Sequence, residues 1–160
     1  MLRSARSVKE LNFSALMEVY IEGNLEKAEE GVSLLEAEQD FYAFLRDVFF
    51  AQPGSVYWIL EEGGSYVSAL RLEPYKDGWL LEALETAPEH RRKGYAEALL
   101  RQVTALPEYK KIYSHVHKKN GPSLAVHEKC GFVRIAESAA YIDGSVNSRA
   151  CTLLFQRDNG

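Results

Sequence analysis

The stretch Leu84-Glu85-Thr86-Ala87-Pro88-Glu89-His90-Arg91-Arg92-Lys93-Gly94-Tyr95-Ala96 decides the fold. A strand ends at Thr86, a basic loop turns, and a helix opens at a glycine with a small residue two positions on. The first turn of a helix leaves N–H groups unpaired and carries partial positive charge, which suits a phosphate. Gly94 has no side chain to hold a ligand off the backbone, and Ala96 keeps the next position low. Arg91, Arg92 and Lys93 add charge where a pyrophosphate would sit. Taken alone, the segment reads equally as a solvated basic loop in front of an ordinary helix, because short glycine patterns recur widely.

Upstream, the strand Trp79–Thr86 is the last of a meander. Val56, Trp58 and Leu60 alternate with Tyr57 and Ile59, Gly63-Gly64 turns the chain, Tyr66–Leu72 returns, and Asp77-Gly78 makes the next hairpin. Before the meander come a short strand, Met1–Ala5, and a helix from Val8 to the Met17–Tyr20 region with Ser7 as its cap. A second helix from Ser33 to Phe50 is stopped by Pro53-Gly54. Downstream, Ala96, Leu99, Leu100, Val103 and Leu106 have helical spacing up to Pro107, followed by a strand, Lys111–His117. A short helix, Pro122–Lys129, ends at Gly131, and strands Phe132–Ile142 and Asn147–Arg157 join through Asp143-Gly144. Early helices, an antiparallel meander, one βαβ crossover and a final hairpin give an α+β fold, a mixed and mostly antiparallel sheet flanked by helices.

Composition bounds the rest. At 160 residues, with 46% hydrophobic and 26% charged, one core suffices, and residues 1–160 read as a single domain without repeats or linkers. No apolar run approaches the roughly 20 residues of a membrane span. A net charge of −4 argues against a protein built around nucleic acid. Cys130 and Cys151 read as reduced core residues, so the expectation is a cytoplasmic protein that needs neither membrane nor nucleic acid. The charge is segregated, however. Glu18, Glu22, Glu26, Glu29 and Glu30 crowd the first helices, whereas Arg91, Arg92, Lys93, Arg101, Lys110, Lys111, Lys118 and Lys119 dominate the segment His90–Asn120. The acidic helices read first as a solvated face, and the basic segment as a seat for an anion.

The run Arg91-x-x-Gly94-x-Ala96, preceded by Thr86-x-Pro88-Glu89-His90, resembles the pyrophosphate-binding signature of the GNAT superfamily of acyl-CoA-dependent N-acyltransferases. A second segment, Asn120-Gly-Pro-Ser123-Leu-Ala125-Val-His127-Glu128-Lys129-Cys130-Gly131-Phe132, resembles the family's short helix opened by asparagine and closed by Gly-Phe. Helix, strand and helix separate the two in the family's order, and the resemblance is clear over Trp79–Phe132.

That resemblance implies an N-acetyltransferase moving an acetyl group from acetyl-CoA to a primary amine by direct attack. It also admits a non-catalytic acyl-CoA-binding or protein-interaction module of the same fold, and a homodimer. By the same resemblance the loop Arg91, Arg92, Lys93, Gly94, Tyr95 and Ala96 holds the CoA pyrophosphate. The strand end Leu84, Glu85 and Thr86 pairs with the pantetheine arm, and Asn120 and Ser123 lie beside it. His127 stands where many members have the tyrosine taken to protonate the leaving thiolate, and Glu82 lies near the family's proton-accepting glutamate. An amine with a pKa near 10.4 is neutral in only about one molecule in 2,500 at pH 7, a cost of about 4.6 kcal/mol, so a carboxylate to take its proton is useful. Glu82 and Glu85, three apart on one strand, are expected on opposite faces. His115 and His117 share a face, but no further ligand is placed with them and the chemistry needs no metal. The acidic first helices would attract a cationic acceptor such as a polyamine, an aminoglycoside or a lysine side chain.

Overall fold

The computed structural model describes residues 1–141 and 143–157. Its elements are β1 (Leu2–Ala5), α1 (Phe13–Val19), α2 (Ile21–Glu29), α3 (Leu34–Phe44), β2 (Val56–Glu62), β3 (Ser65–Tyr75) and β4 (Gly78–Thr86). They continue with α4 (Tyr95–Thr104), β5 (Lys111–His117), α5 (Gly121–Lys129), β6 (Val133–Ala136), β7 (Ala139–Ala140), β8 (Val146–Asn147) and β9 (Ala150–Gln156). Seven strands form one sheet in the order β1-β2-β3-β4-β5-β9-β6, antiparallel everywhere except β4–β5. The single parallel pair follows from the α4 crossover, since parallel neighbours cannot be joined by a tight turn.

The sheet carries a core on each face. Leu70, Leu72 and Leu81 pack with Leu99, Leu100 and Val103 of α4 on one side. On the other, Tyr57, Ile59 and Ala69 pack with Leu16, Met17 and Val19 of α1 and with Leu45 and Phe49.

The N-terminal helices depart from the sequence reading. Ser7 makes no capping hydrogen bond and precedes only a single tight turn, Val8–Glu10. Asn12 is the cap instead, its Oδ1 accepting the Ala15 N–H at 3.1 Å, and the chain breaks at Tyr20 to begin α2. Gly23 and the run of glutamates dilute the apolar stripe that would have marked α2 in sequence. The helix expected over Ser33–Phe50 does start at Ser33, whose Oγ accepts the Glu36 N–H. It widens at its end, where the Phe50 N–H reaches back five residues to the Leu45 carbonyl at 2.9 Å.

The closing strands are shorter than their residue pattern suggests. β9 inserts between β5 and β6, while β7 and β8 leave the main sheet as a separate two-stranded ribbon. Ile142, the expected end of the first closing strand, lies outside the described residues. Both cysteines are buried and free.

Candidate active site

β4 and β5 are paired over only three positions, Trp79↔Ile112, Leu80↔Tyr113 and Leu81↔Ser114. Beyond these, β5 keeps its ladder to β9 as far as His117↔Ala150, and β4 keeps its ladder to β3 as far as Thr86↔Ser68. Each strand is held by its other neighbour, so the two diverge. The β5-facing backbone edge of residues 82–86 is thereby left open to an extended ligand.

A cleft of ≈ 580 Å³ opens beside that edge, between β4, the loop before α4, and α5. Leu84, Glu85, Thr86, Arg91, Arg92, Gly94, Tyr95, Ala96, Asn120 and Ser123 all line it, and of the expected CoA-contacting residues only Lys93 does not. The sequence reading missed His90, Glu97, Pro122, Val126 and Lys129, which also line it. Val126 and Lys129 follow Ser123 at intervals of three on α5, so helical periodicity could have found them.

The loop has the features that an anion seat needs. Gly94 has a left-handed φ of 80°, and a side chain there would meet no atom within 4 Å, so its surface opens to the cleft. Arg92 is also left-handed, with φ 62°. The first N–H of α4 to find an intrahelical acceptor is that of Ala98, on the Gly94 carbonyl at 3.0 Å. The N–H groups of Tyr95, Ala96 and Glu97 point out of the helix end without a side-chain cap. Three outward donors, two arginines and a bare glycine suit a pyrophosphate.

Arg91 is shared. Its Nη1 donates to Glu22 Oε1 of α2 at 2.7 Å and its Nη2 to Glu85 Oε1 at 3.1 Å. The hydrogen bond from Arg91 holds the Glu22 carboxyl below its ordinary range, whereas burial pushes Glu85 up despite the same guanidinium. Asn120 also has two duties, because its Oδ1 caps α5 by accepting the Ser123 N–H at 3.2 Å while the residue lines the cleft.

His127 lies on α5, packed into the fold. It is 1% exposed and lies edge-on to Phe132, with ring centroids 4.9 Å apart. Nδ1 lies 2.7 Å from the Ser123 carbonyl, which can only accept, so Nδ1 carries the proton. Nε2 then accepts from the Ser114 hydroxyl at 2.8 Å. Burial holds the imidazole below its ordinary pKa, with the Ser123 carbonyl opposing, so the ring is neutral near pH 7. Its one proton is committed to the backbone. His127 is thus packed, with both ring nitrogens engaged by Ser114 and the Ser123 carbonyl.

The two glutamates of β4 share a face, against expectation. Ala69 pairs with Glu85 and Arg71 with Glu82, so Ala83 and Leu84 together stand opposite one residue of β3. This bulge, with Ala83 at φ 55°, inserts one residue and resets the alternation. The Ala83 carbonyl accepts the Tyr20 hydroxyl at 2.7 Å, which ties the bulge to the junction of α1 and α2. On the same face the Arg71 guanidinium lies over Phe41, Phe44, Phe49 and Tyr57 at 5.2–5.9 Å from the ring centroids. Burial, then the neighbouring Glu73 carboxyl, push Glu82 up to about 7, with Arg71 opposing. Glu82 Oε1 is buried and meets no donor among the described residues.

The acidic residues of the first helices divide. Glu22, Glu26 and Glu30 line a second hollow of ≈ 430 Å³ with Tyr20, Phe41 and Glu85, while Glu18 faces a different one. His115 and His117 are not a ligand pair here. His115 packs between Tyr75 and Tyr141, and His117 Nδ1 accepts the Lys119 N–H at 3.1 Å. Among the described residues no group of three or more His, Cys, Asp and Glu side chains is placed to hold a metal, and no helix is long and apolar enough to cross a membrane.

The model of the acetyltransferase (GNAT) family matches residues 17–132, which includes the cleft, both motifs and most of the sheet. The chain belongs to the GNAT acetyltransferase family. No curated protein sequence matches this GNAT chain. Its fold is similar to solved structures of the PaiA N-acetyltransferase from Thermoplasma acidophilum in complex with coenzyme A (12% identity, TM-score 0.68) and the IAA acetyltransferase from Bacillus cereus ATCC 14579 (14%, 0.64). Each similarity covers 98% of this chain and 99% of the other. A ribosomal-protein-alanine N-acetyltransferase from Brucella melitensis is similar over the same shares, at 17% identity and TM-score 0.65. At such identities the shared property is the fold, an α+β sheet of mostly antiparallel strands flanked by helices.

Proposed function

We propose that this GNAT protein transfers an acetyl group from acetyl-CoA to a primary amine by direct attack. The observation that carries the reading is the divergence of β4 and β5 after Leu81↔Ser114. It has the anion-seating cleft on its α4–α5 side and a buried carboxyl, Glu82, on the other face. A thioester lying in the gap is reached from the face opposite its own nucleotide. The α4 N-terminus with Arg91 and Arg92 seats the pyrophosphate, and the open edge of Leu84, Glu85 and Thr86 receives the pantetheine arm beside Asn120 and Ser123. Acetyl-CoA supplies the activated carbonyl.

Glu82 takes the ammonium proton, which suits a carboxyl whose proton affinity lies near neutrality. The liberated amine attacks, the C–S bond breaks, and the thiolate takes up the surplus proton of the new nitrogen–carbon bond. No role for His127 is needed in this sequence of events. Lys93 contributes long-range charge. The acidic hollow of Glu22, Glu26 and Glu30 favours an acceptor with a cationic tail, and solved structures of the same fold include a spermidine N-acetyltransferase SpeG mutant from Vibrio cholerae.

Thiol release from acetyl-CoA across a library of primary amines tests the reading. The closed surroundings of His127 favour one alternative, a module that binds acyl-CoA without turning it over. Calorimetric CoA binding with no amine-dependent thiol release would establish that alternative in its place.

A further inference from the structure

Glu82 and His115 are the first residues of β4 and β5 beyond their last paired position, Leu81↔Ser114. Side chains alternate, and Leu80 and Tyr113 pack together on one face, so Glu82 and His115 flank the mouth of the gap on that face. Each brings a buried polar atom with no hydrogen-bond partner among the described residues, Glu82 Oε1 and His115 Nε2. Buried polar atoms are nearly always paired, and two exceptions directly after the last β4–β5 pair would both be satisfied by one guest that donates to each.

His115 is fixed by aromatic rings and not by hydrogen bonds. Tyr75 and Tyr141 meet it edge-on, with centroids 5.8 and 5.1 Å away. Tyr75 is itself anchored through its hydroxyl to the Ala140 carbonyl at 2.8 Å. The clamp sets the imidazole plane and leaves Nε2 for a ligand.

We propose that His115 Nε2 and Glu82 Oε1 together form the seat of the acceptor nitrogen, each accepting one N–H of a primary amine. The inference rests on the acyltransferase reading above. Burial and the nearby Lys76 ammonium hold His115 below its usual pKa, so the ring is neutral and Nε2 has a lone pair to offer. The acceptor enters as an ammonium and gives one proton to the Glu82 carboxylate. The amine then keeps two N–H bonds, directs one to His115 and one to Glu82, and presents its lone pair to the thioester carbon. The N–C bond forms, the C–S bond breaks with its electron pair on sulfur, and the second nitrogen proton completes the thiol. Glu82 returns its proton to solvent. A secondary amine, once deprotonated, has a single N–H and leaves one of the two acceptors unsatisfied, so the seat selects primary amines.

The test compares n-butylamine with N-methylbutylamine as acceptors of acetyl-CoA, by thiol release, in wild type, His115→Phe and His115→Gln. Calorimetric CoA affinity and thermal melting verify that each variant folds and keeps its donor site. The wild type is expected to prefer the primary amine by about tenfold or more in kcat/KM. His115→Phe should raise KM for butylamine by about tenfold and erase most of that preference, with CoA affinity unchanged. His115→Gln, which restores an acceptor oxygen, should recover part of it. A folded His115→Phe protein as selective as wild type overturns the seat while leaving the acyltransferase reading intact. A wild type that binds CoA and acetylates no primary amine overturns both.

Discussion

Gly94 separates two effects that a single substitution usually mixes. Its φ of 80° is a left-handed conformation that costs an L-residue about 1–2 kcal/mol. A side chain placed there meets nothing within 4 Å, so no steric clash adds to that strain. Gly94→Val should therefore fold and melt about 2–8 °C lower, at 2–4 °C per kcal/mol for a chain of this size. Asparagine tolerates the left-handed region far better, so Gly94→Asn should melt close to wild type. Both variants nonetheless put a side chain into the cradle formed by the outward N–H groups of α4. Both should weaken CoA binding by tenfold or more, about 1.4 kcal/mol, in isothermal calorimetry. A weakening that follows CoA exclusion is shared by valine and asparagine, whereas one that follows strain appears with valine alone. Gly94→Asn with wild-type melting and wild-type CoA affinity would refute the placement of the pyrophosphate on this loop.

Glu82 must be ionised to accept a proton, and its carboxyl is pushed up to about 7, so kcat/KM should fall as pH drops through that value. Glu82→Gln should flatten this limb and cost about a hundredfold in rate. The fold also binds the Glu82 proton more tightly than the unfolded chain does, so the carboxyl's contribution to stability declines as pH rises through about 7. Glu82→Gln should accordingly raise the melting temperature more at pH about 8 than at about 5, and equal shifts would contradict its burial. His127→Phe leaves the Ser114 hydroxyl buried without its acceptor, at a cost of about 1–3 kcal/mol. Adding Ser114→Ala should recover part of the loss, and the pH profile of kcat should keep its shape. A kcat loss confined to low pH, with the decline toward high pH flattened, would instead restore His127 as the acid. Glu22→Gln frees Arg91 from one of its two carboxylates, and CoA should bind about two- to fivefold tighter at low salt, with the gain shrinking as salt rises. Unchanged affinity would mean that Arg91 does not reach the phosphate.

Much of this protein could be read along the chain. The basic loop ending at Gly94, the capping asparagine of α5 and the Gly-Phe that follows it are local signals. A helix N-terminus needs a small residue and free N–H groups whatever lies around it, and turn glycines with period-two runs mark strands before any packing exists. The cleft's lining was legible for the same reason, since most of its residues come from one continuous strand–loop–helix segment and the first turns of a second helix.

What escaped depended on partners distant in sequence. Strict alternation puts Glu82 and Glu85 on opposite faces, and only the pairing of β4 with β3 shows the extra residue at Ala83–Leu84 that reunites them. Nothing in the local sequence says that Tyr20 holds that bulge through the Ala83 carbonyl, 63 positions away. The position of His127 in its motif suggests a proton donor. Its chemistry is decided by Ser114 on the neighbouring strand and by the carbonyl one helical turn back, which together consume both ring nitrogens. α2 was hidden because its helix is held mainly by the turn at Tyr20 and its packing on α3, with only a diluted stripe of its own. The sequence by itself determined the sheet, the crossover and the anion-seating loop, because hydrophobic period and backbone freedom are properties of neighbouring residues. Face, proton affinity and the placing of Glu82 and His115 just beyond the last pair of the β4–β5 ladder were decided only by tertiary structure, because burial and hydrogen-bond partners are set by the chain as a whole.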